Sequence, residues 1–207
     1  APFAPVHSAT QLAEGLAKVG VPAVLKTRTL GYDGKGQEKI AAAADAAAAW
    51  RRLKHVPCIL EGFVDFQREV SVIAARSADG HVECFELTEN DHRDHILHIS
   101  RVPAKATAAR EAEARRVATK IVNAFDYVGV MGIEMFVVKK GRAQHVLVNE
   151  VAPRVHNSGH WTINGATVSQ FEQHIRAVAG WPLGKPKRLG AKVEMRNLIG
   201  DEILSAT

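Results

Sequence analysis

The sequence predicts an α+β fold, and three observations carry that prediction. Apolar runs rich in β-favouring residues, among them "CILEGFV", "REVSVIAARS" and "VGVMGIEMFVV", alternate with stretches of helical period. Short turn signals join neighbouring runs, "DG" at 79–80 and "KKGRA" at 139–143, and these make antiparallel hairpins. The composition, 46% apolar and 24% charged over 207 residues, is that of a globular protein with enough chain for one domain or two small ones.

Taken in order, Ser8 or Thr10 caps a first helix over Gln11 to Val19, with Leu12, Leu16 and Val19 on one face and Gly20 as its stop. "PAVLKTR" is a strand, followed by a glycine-rich loop. Ile40 to Trp50, "IAAAADAAAAW", is read as a small-residue helix, because alanine is the best helix former. "CILEGFV" and "REVSVIAARS" are strands, and the second turns at Asp79-Gly80 into "HVECFEL". A helix is expected over Ala104 to Phe125, with Val117, Ile121 and Val122 as its buried stripe. "VGVMGIEMFVV" and "QHVLVNEVAP" form a second hairpin, and "SQFEQHIRAVAG" is an amphipathic helix closed by Gly180. A division near Pro103 separates a smaller lobe, residues 1–103, from a larger one, residues 104–207.

No apolar run approaches the ~20 residues a membrane helix needs, and the N-terminal stretch has no signal-peptide pattern, so a cytoplasmic protein without a membrane partner is expected. The net charge of +5 suits an anionic ligand, but the basic residues are dispersed and only 6% are aromatic, which argues against nucleic acid. Cys58 and Cys84 lack partners at metal-ligand spacing and are read as reduced thiols.

Three constellations carry chemistry. In the second hairpin Glu134 and Glu150 share parity, so folding about residues 140–144 sets them opposite one another on one sheet face. Like charges there repel, and a divalent cation with oxygen ligands would compensate, with Asn149 adding an amide; the alternative is two solvated glutamates at an edge. The loop "LGYDGKGQ" offers glycines whose N–H groups can turn onto an anion, with Lys26 and Lys35 supplying charge. Its G-x-x-G-x-G order is not that of a Walker loop, and plain turns also look like this. A lysine, a glycine cover and acidic metal ligands are together the parts that phosphoryl transfer from a nucleotide requires. Third, "NEVAPRVHNSGHW" places Arg154, suited to a carboxylate, phosphate or bicarbonate, near His156 and His160 in loop sequence that reads as a substrate cradle rather than a zinc site. His95 and His98 are expected at the solvent surface.

"KTRTLGYDGKGQ", the tract "NEVAPRVHNSGHWTINGATVSQFEQHIRAVAGWPLG" and "NLIGDE" together resemble the N5-carboxyaminoimidazole ribonucleotide synthetase family of purine biosynthesis, within the ATP-grasp superfamily. The resemblance runs over nearly the whole chain, and Asn149 to Gly184 is particular to that family. It implies an ATP-grasp fold, in which two lobes with antiparallel sheets clasp the nucleotide. It also implies ATP- and bicarbonate-dependent carboxylation of 5-aminoimidazole ribonucleotide through carboxyphosphate, with magnesium, or manganese in its place, as the metal.

By that resemblance Lys26 touches the nucleotide phosphates, and Gly31, Tyr32, Asp33, Gly34, Lys35, Gly36 and Gln37 form the loop over them. Glu61, Gly62, Phe63 and Val64 become the adenine hinge, Glu69 holds the ribose and His92 belongs to the nucleotide site. Glu134 and Glu150 become the metal carboxylates, with Asn149 beside them. Tyr32, Asp33, Arg154, His156 and Asn157 hold the imidazole ribonucleotide and the bicarbonate-derived group, and Arg154, His156 and Lys26 act in the chemistry. Leu30 stands where the family usually has glycine, which implies a stiffer loop entrance. The family's N-terminal and C-terminal domains are expected outside this sequence, and a homodimer is expected of the full-length enzyme. Alternatives from the residues are another ATP-grasp ligase, such as a formate-using transformylase or a biotin carboxylase, a nucleotide-binding module without turnover, or a decayed homologue.

Overall fold

The structure, a computed structural model, describes residues 1–31, 34–141 and 143–204. The chain forms two compact units, one of Ala1–Asp65 with Asp94–Ile96, the other of Phe66–Arg93 with Leu97 onward.

In the first unit a strand at Phe3–Val6 (β1) precedes a helix at Ala9–Val19 (α1), then strands at Ala23–Thr27 (β2) and Gln37–Ile40 (β3), a helix at Ala46–Arg52 (α2) and a strand at Cys58–Gly62 (β4). The sheet order is β1-β4-β2-β3, antiparallel throughout. Ser8 rather than Thr10 caps α1. Its hydroxyl accepts the Gln11 N–H at 3.2 Å while the Gln11 side chain accepts the His7 N–H at 2.8 Å, so two otherwise unmatched donors at the helix start are satisfied together. Gly20 ends it at φ 84°, a conformation costly to residues with a Cβ.

The alanine run behaves differently from its composition. Ile40 belongs to β3 and is fully buried beside Leu25 and Leu60, a 3-10 turn spans Ala43–Asp45, and the α-helix begins only at Ala46. Ladder hydrogen bonds from β2 and burial of Ile40 outweigh alanine's helix propensity, which is worth only tenths of a kcal/mol per residue, about 0.5 here.

The second unit holds strands at Arg68–Arg76 (β5), Val82–Cys84 (β6), Thr88–Arg93 (β7) and Ile96–Val102 (β8), and a helix at Ala108–Ala124 (α3). Strands at Gly129–Lys140 (β9) and Ala143–Ala152 (β10) follow, then helices at Thr162–Gly165 (α4) and Gln170–Val178 (α5) and a strand at Val193–Arg196 (β11). The sheet runs β10-β9-β5-β7-β8-β11, with β6 also on β5. The two compact units therefore part at residues 65 and 66, not near Pro103. Pro103 follows β8, in which Ile99, Ser100, Arg101 and Val102 pair with β11, so the change there is from strand to helix within one unit.

Helix α3 is capped by Thr107 and buries Ala114, Ala118 and Val122; Val117 and Ile121 sit at the margin. Small alanines face the sheet because they let helix and sheet approach closely, which the apolar-stripe reading overlooked. Against them lie Val70, Val72, Ile133, Met135 and Val137. The opposite face of the sheet is apolar at one end, where Ile73, Ala75 and Val130 pack under Trp161 and Val168, and polar at the other. His98, expected at the surface, is buried on β8 at 3% exposure. Both cysteines are free thiols. Among the described residues no helix is long and apolar enough to cross a membrane.

Candidate active site

In the first unit β2 and β3 flank the glycine loop, with Lys26 paired to Gln37 in the ladder and the Thr27 N–H donating to Gly36 O at 2.8 Å. Two of the glycines are required by shape. Gly34, at φ 74°, lies where a Cβ would come within 2.6 Å of the His95 ring, and Gly36, at φ 75°, where one would come within 2.6 Å of Thr27 Oγ1. Leu30, at the loop entrance, holds a φ of 62° with 93% of its surface exposed, so a branched side chain occupies a glycine-like conformation without burial to offset it. Tyr32 and Asp33 lie outside the described residues.

Lys26 Nζ is 2.8 Å from Glu61 Oε2, which holds the lysine head on the β2–β4 surface. In the expected hinge, the Gly62 and Phe63 N–H groups donate to the carbonyls of Pro2 and Pro22. Those two donors serve the fold. The Phe63 ring carries Lys39 Nζ at 4.4 Å from its centre.

In the second unit the register builds one polar face. Glu150 pairs with Glu134, Glu134 with Ser71, and Glu69, two residues before Ser71, with Asn90. Alternation along the strands puts all of these side chains, and His92 two beyond Asn90, on the same side. Glu69 Oε2 is 2.5 Å from His92 Nδ1. Burial by itself would lower the His92 pKa, but Glu69, and beyond it Glu134 and Glu150, hold it above its ordinary value. Burial and then the neighbouring Glu150 charge push the Glu134 carboxyl up to about 7. Among the described residues no three His, Cys, Asp or Glu side chains group as metal ligands, so the carboxylate pair is the candidate metal position. Its repulsion is what a hard divalent cation with oxygen ligands would relieve.

The segment after Pro153 lies over this face. Gly132 makes room for it, since a Cβ there would be 2.7 Å from His156 Cβ. The Gln170 side chain, wholly buried, accepts the His156 N–H at 2.9 Å and donates to its carbonyl at 2.7 Å, fixing the backbone from α5. His156 Nε2 then stands 3.7 Å from Glu134 Oε1. Its pKa drops to about 4 through burial and then the charge of Arg154, so the ring is neutral at physiological pH. His160 is lowered by burial too and stacks on Phe171 instead of joining a metal site. Arg154 is exposed, and one of its N–H groups donates to Val155 O at 2.9 Å. Asn157 Oδ1 is buried and has no hydrogen-bond partner among the described residues, an acceptor available to a ligand.

Within each unit, then, expected residues meet: Lys26, Glu61 and the glycine loop in the first, and Glu69, His92, Glu134, Glu150, Arg154, His156 and Asn157 in the second. Sequence reasoning missed Ser71, Asn90, Ser158 and Gln170. Ser71 shares Glu69's parity within an otherwise apolar strand, a signal that was there to use; Gln170 gave none, being one polar residue on a polar-looking helix.

A family model described as the ATP-grasp domain matches residues 1–171. The N5-carboxyaminoimidazole ribonucleotide synthase of Brucella melitensis is 51% identical over 205 residues, covering 98% of this chain and 56% of that protein. A crystal structure of an N5-carboxyaminoimidazole ribonucleotide synthetase with ADP matches with a TM-score of 0.89 at 41% identity, over 98% of this chain and 52% of that one. The Aspergillus clavatus synthase, solved in complex with ADP and 5-aminoimidazole ribonucleotide, matches with a TM-score of 0.85 at 30% identity, over 99% of this chain and 54% of that one. The chain spans about half the length of the curated relatives it matches. The match over residues 1–171 makes the chain a member of the ATP-grasp domain family.

Proposed function

We propose that the protein carrying this chain is an ATP-dependent carbon–nitrogen ligase that carboxylates 5-aminoimidazole ribonucleotide on its exocyclic amine. Bicarbonate is the carbon source and N5-carboxyaminoimidazole ribonucleotide the product, a step of purine synthesis toward IMP. The observation that carries the reading is the Glu134–Glu150 pair on a polar sheet face under the Arg154–His156 segment. Identity of 51% to a synthase of that name supports the choice of substrate.

Bicarbonate is a poor electrophile, so one of its oxygens attacks the γ-phosphorus, the bond to ADP breaks, and carboxyphosphate forms. Its C–O bond then breaks to give carbon dioxide and phosphate, the amine nitrogen bonds to the carbon, and the amine proton passes to the phosphate. Glu134 and Glu150 would hold the magnesium, or manganese, whose charge neutralises the transferring phosphoryl group. Lys26, steadied by Glu61, meets the phosphates, and the glycine loop with Gly31, Tyr32, Asp33, Gly34, Lys35, Gly36 and Gln37 covers them and keeps water from carboxyphosphate. With the Gly62 and Phe63 N–H groups engaged, adenine is read by the hinge carbonyls and Val64. Glu69, oriented by His92, binds the ribose hydroxyls, and Asn149 stands beside the metal ligands. Arg154 pairs with the carboxyphosphate dianion, while His156 and Asn157 Oδ1, which has no hydrogen-bond partner among the described residues, hold the imidazole ribonucleotide.

A homodimer is supported by the apolar side that α5 leaves exposed at Phe171, Ile175 and Val178. A cytoplasmic setting is supported by the two free thiols. The test is ADP release with bicarbonate and 5-aminoimidazole ribonucleotide added singly and together. Release that requires both supports the reading, and release indifferent to the ribonucleotide overturns the substrate.

A further inference from the structure

Behind His156 runs a line of buried polar groups that the reaction above does not use. The Ser100 hydroxyl is 2.8 Å from Asn90 Oδ1, Asn90 Nδ2 is 2.9 Å from Ser71 Oγ, Ser71 Oγ is 2.8 Å from Ser158 Oγ, and Ser158 Oγ is 2.9 Å from His156 Nδ1. Ser71, Ser100 and Ser158 have no exposed surface, and Asn90 has 4%. Four polar side chains in a sheet face and the turn above it would be a costly way to fill space, unless the direction of their hydrogen bonds matters.

One contact fixes that direction. The Ser158 backbone N–H, which can only donate, points at His156 Nδ1 at 3.3 Å, so Nδ1 is an acceptor and carries no hydrogen. The Ser158 hydroxyl then donates to Nδ1 and accepts from Ser71. Ser71, having given its hydrogen, accepts from the Asn90 amide, whose oxygen accepts from Ser100. Every donor in the line points toward the histidine.

We propose that Ser158, Ser71, Asn90 and Ser100 are positioning residues that hold His156 in the tautomer with its hydrogen on Nε2, so that it serves as a hydrogen-bond donor and not as the base for the amine. The Nε2–H faces the Glu134 side of the site, with Glu134 Oε1 3.7 Å away. A ring whose Nδ1 already receives two donors and whose Nε2 bears a hydrogen offers no lone pair to the substrate. The histidine therefore orients an oxygen of the ribonucleotide or of the carboxyphosphate, and the amine proton leaves with phosphate. Only this consequence for turnover rests on the functional reading; the tautomer stands on the hydrogen bonds alone.

The test is nitrogen-15 NMR of histidine-labelled protein carrying this chain, with the His156 signals assigned by their loss in His156→Gln. The wild type is expected to show Nδ1 as the unprotonated and Nε2 as the protonated nitrogen. Ser158→Ala leaves only the longer backbone N–H contact on Nδ1, so it should shift the Nδ1 signal, admit a fraction of the other tautomer and lower kcat about tenfold with the KM for MgATP within about twofold, and Ser158→Thr should restore both. Should Ser158→Ala fail to fold, Ser71→Ala reads the same nitrogen one link away, and a shifted Nδ1 signal with a kcat loss of about threefold is expected. A hydrogen on Nδ1 in the wild type, or an Nδ1 signal that ignores the serine substitutions, overturns the proposal, even if kcat falls. A changed tautomer with unchanged carboxylation would uphold the network and count against the functional reading instead.

Discussion

Glu150 stands opposite Glu134 because Asn149 is bulged out of the β10 ladder. From Ala143 with Lys140 to Val148 with Met135 the two strands advance in step, and the next regular pair would have set Asn149 against Glu134. The extra residue shifts the register by one and brings Glu150, not Asn149, opposite Glu134, where Cβ atoms stand about 5 Å apart. Like charges set opposite one another on a half-buried face are what supports the cation position proposed above.

Removing one of the charges should therefore separate stability from function. Glu150→Gln is expected to raise the stability of the metal-free protein by about 1 kcal/mol at pH 8, read as a higher melting temperature, because repulsion across the strands is relieved. The same substitution should lower metal-dependent ADP release at least about 100-fold. A variant that turned over at the wild-type rate would remove Glu150 from the metal site.

The raised Glu134 carboxyl gives a pH signature. Its folded pKa, about 7, lies above the ordinary 4.5, so the folded state binds the extra proton; that contribution to stability is whole below 4.5 and is lost as pH rises through 7. His156 works in the opposite sense. Its folded value, about 4, lies below the ordinary 6.5, so its contribution is present above 6.5 and lost as pH falls through 4. Between 4.5 and 6.5 the two offset; above 6.5 Glu134 still changes, and His92, also held above its ordinary value, adds to the loss in the same direction. Magnesium requires the ionised carboxylate, so its apparent affinity should fall up to about tenfold per pH unit below 7 and level off above it. Titration calorimetry in buffers of different ionisation heat should detect uptake of the metal with proton release at pH 6 and little release at pH 8.

Gly132 and Gly34 should fail in different assays. Gly132→Ala pushes a methyl group against His156, 2.7 Å from its Cβ, so carboxylation should drop at least about tenfold while MgATP binding is largely kept. Gly34→Ala meets the His95 ring at a φ of 74° and should weaken nucleotide binding and cost about 2 kcal/mol of stability. Nucleotide titration of both variants alongside thermal melts distinguishes the two effects.

Leu30 reads in the same terms. A branched residue at a φ of 62° carries strain of about 1 kcal/mol, and its exposed side chain gains nothing in packing. Leu30→Gly should leave stability unchanged or raise it by up to about 1 kcal/mol, the added freedom of the unfolded chain taking back part of the gain. A loss above that size would mean that Leu30 has a packing role.

Much of this was legible in the sequence, and the exceptions share a cause. The β9–β10 hairpin and the α1 cap were readable because alternation and capping are local patterns. The parity that joined Glu134 to Glu150 assumed a turn centred on residue 142, and it held because the Asn149 bulge made up the difference. Strand β3 was hidden because "QEKI" is polar and abuts an alanine run; only pairing with β2 makes it a strand. The two units part at Asp65 rather than Pro103 because strand pairing, which composition does not reveal, holds β5, β7 and β8 in one sheet. Ser71, Asn90 and Ser100 come from three strands and meet only through lateral neighbours, so no periodicity along the chain could pick them out.

The most direct measurement follows the oxygen. With ATP, 5-aminoimidazole ribonucleotide and oxygen-18 bicarbonate, attack of bicarbonate on the γ-phosphorus leaves one bicarbonate oxygen in each phosphate formed. Phosphorus-31 NMR of the released phosphate should show one oxygen-18 per turnover, in an amount matching the N5-carboxyaminoimidazole ribonucleotide made. Phosphate without label, formed alongside that product or in its absence, would contradict the account.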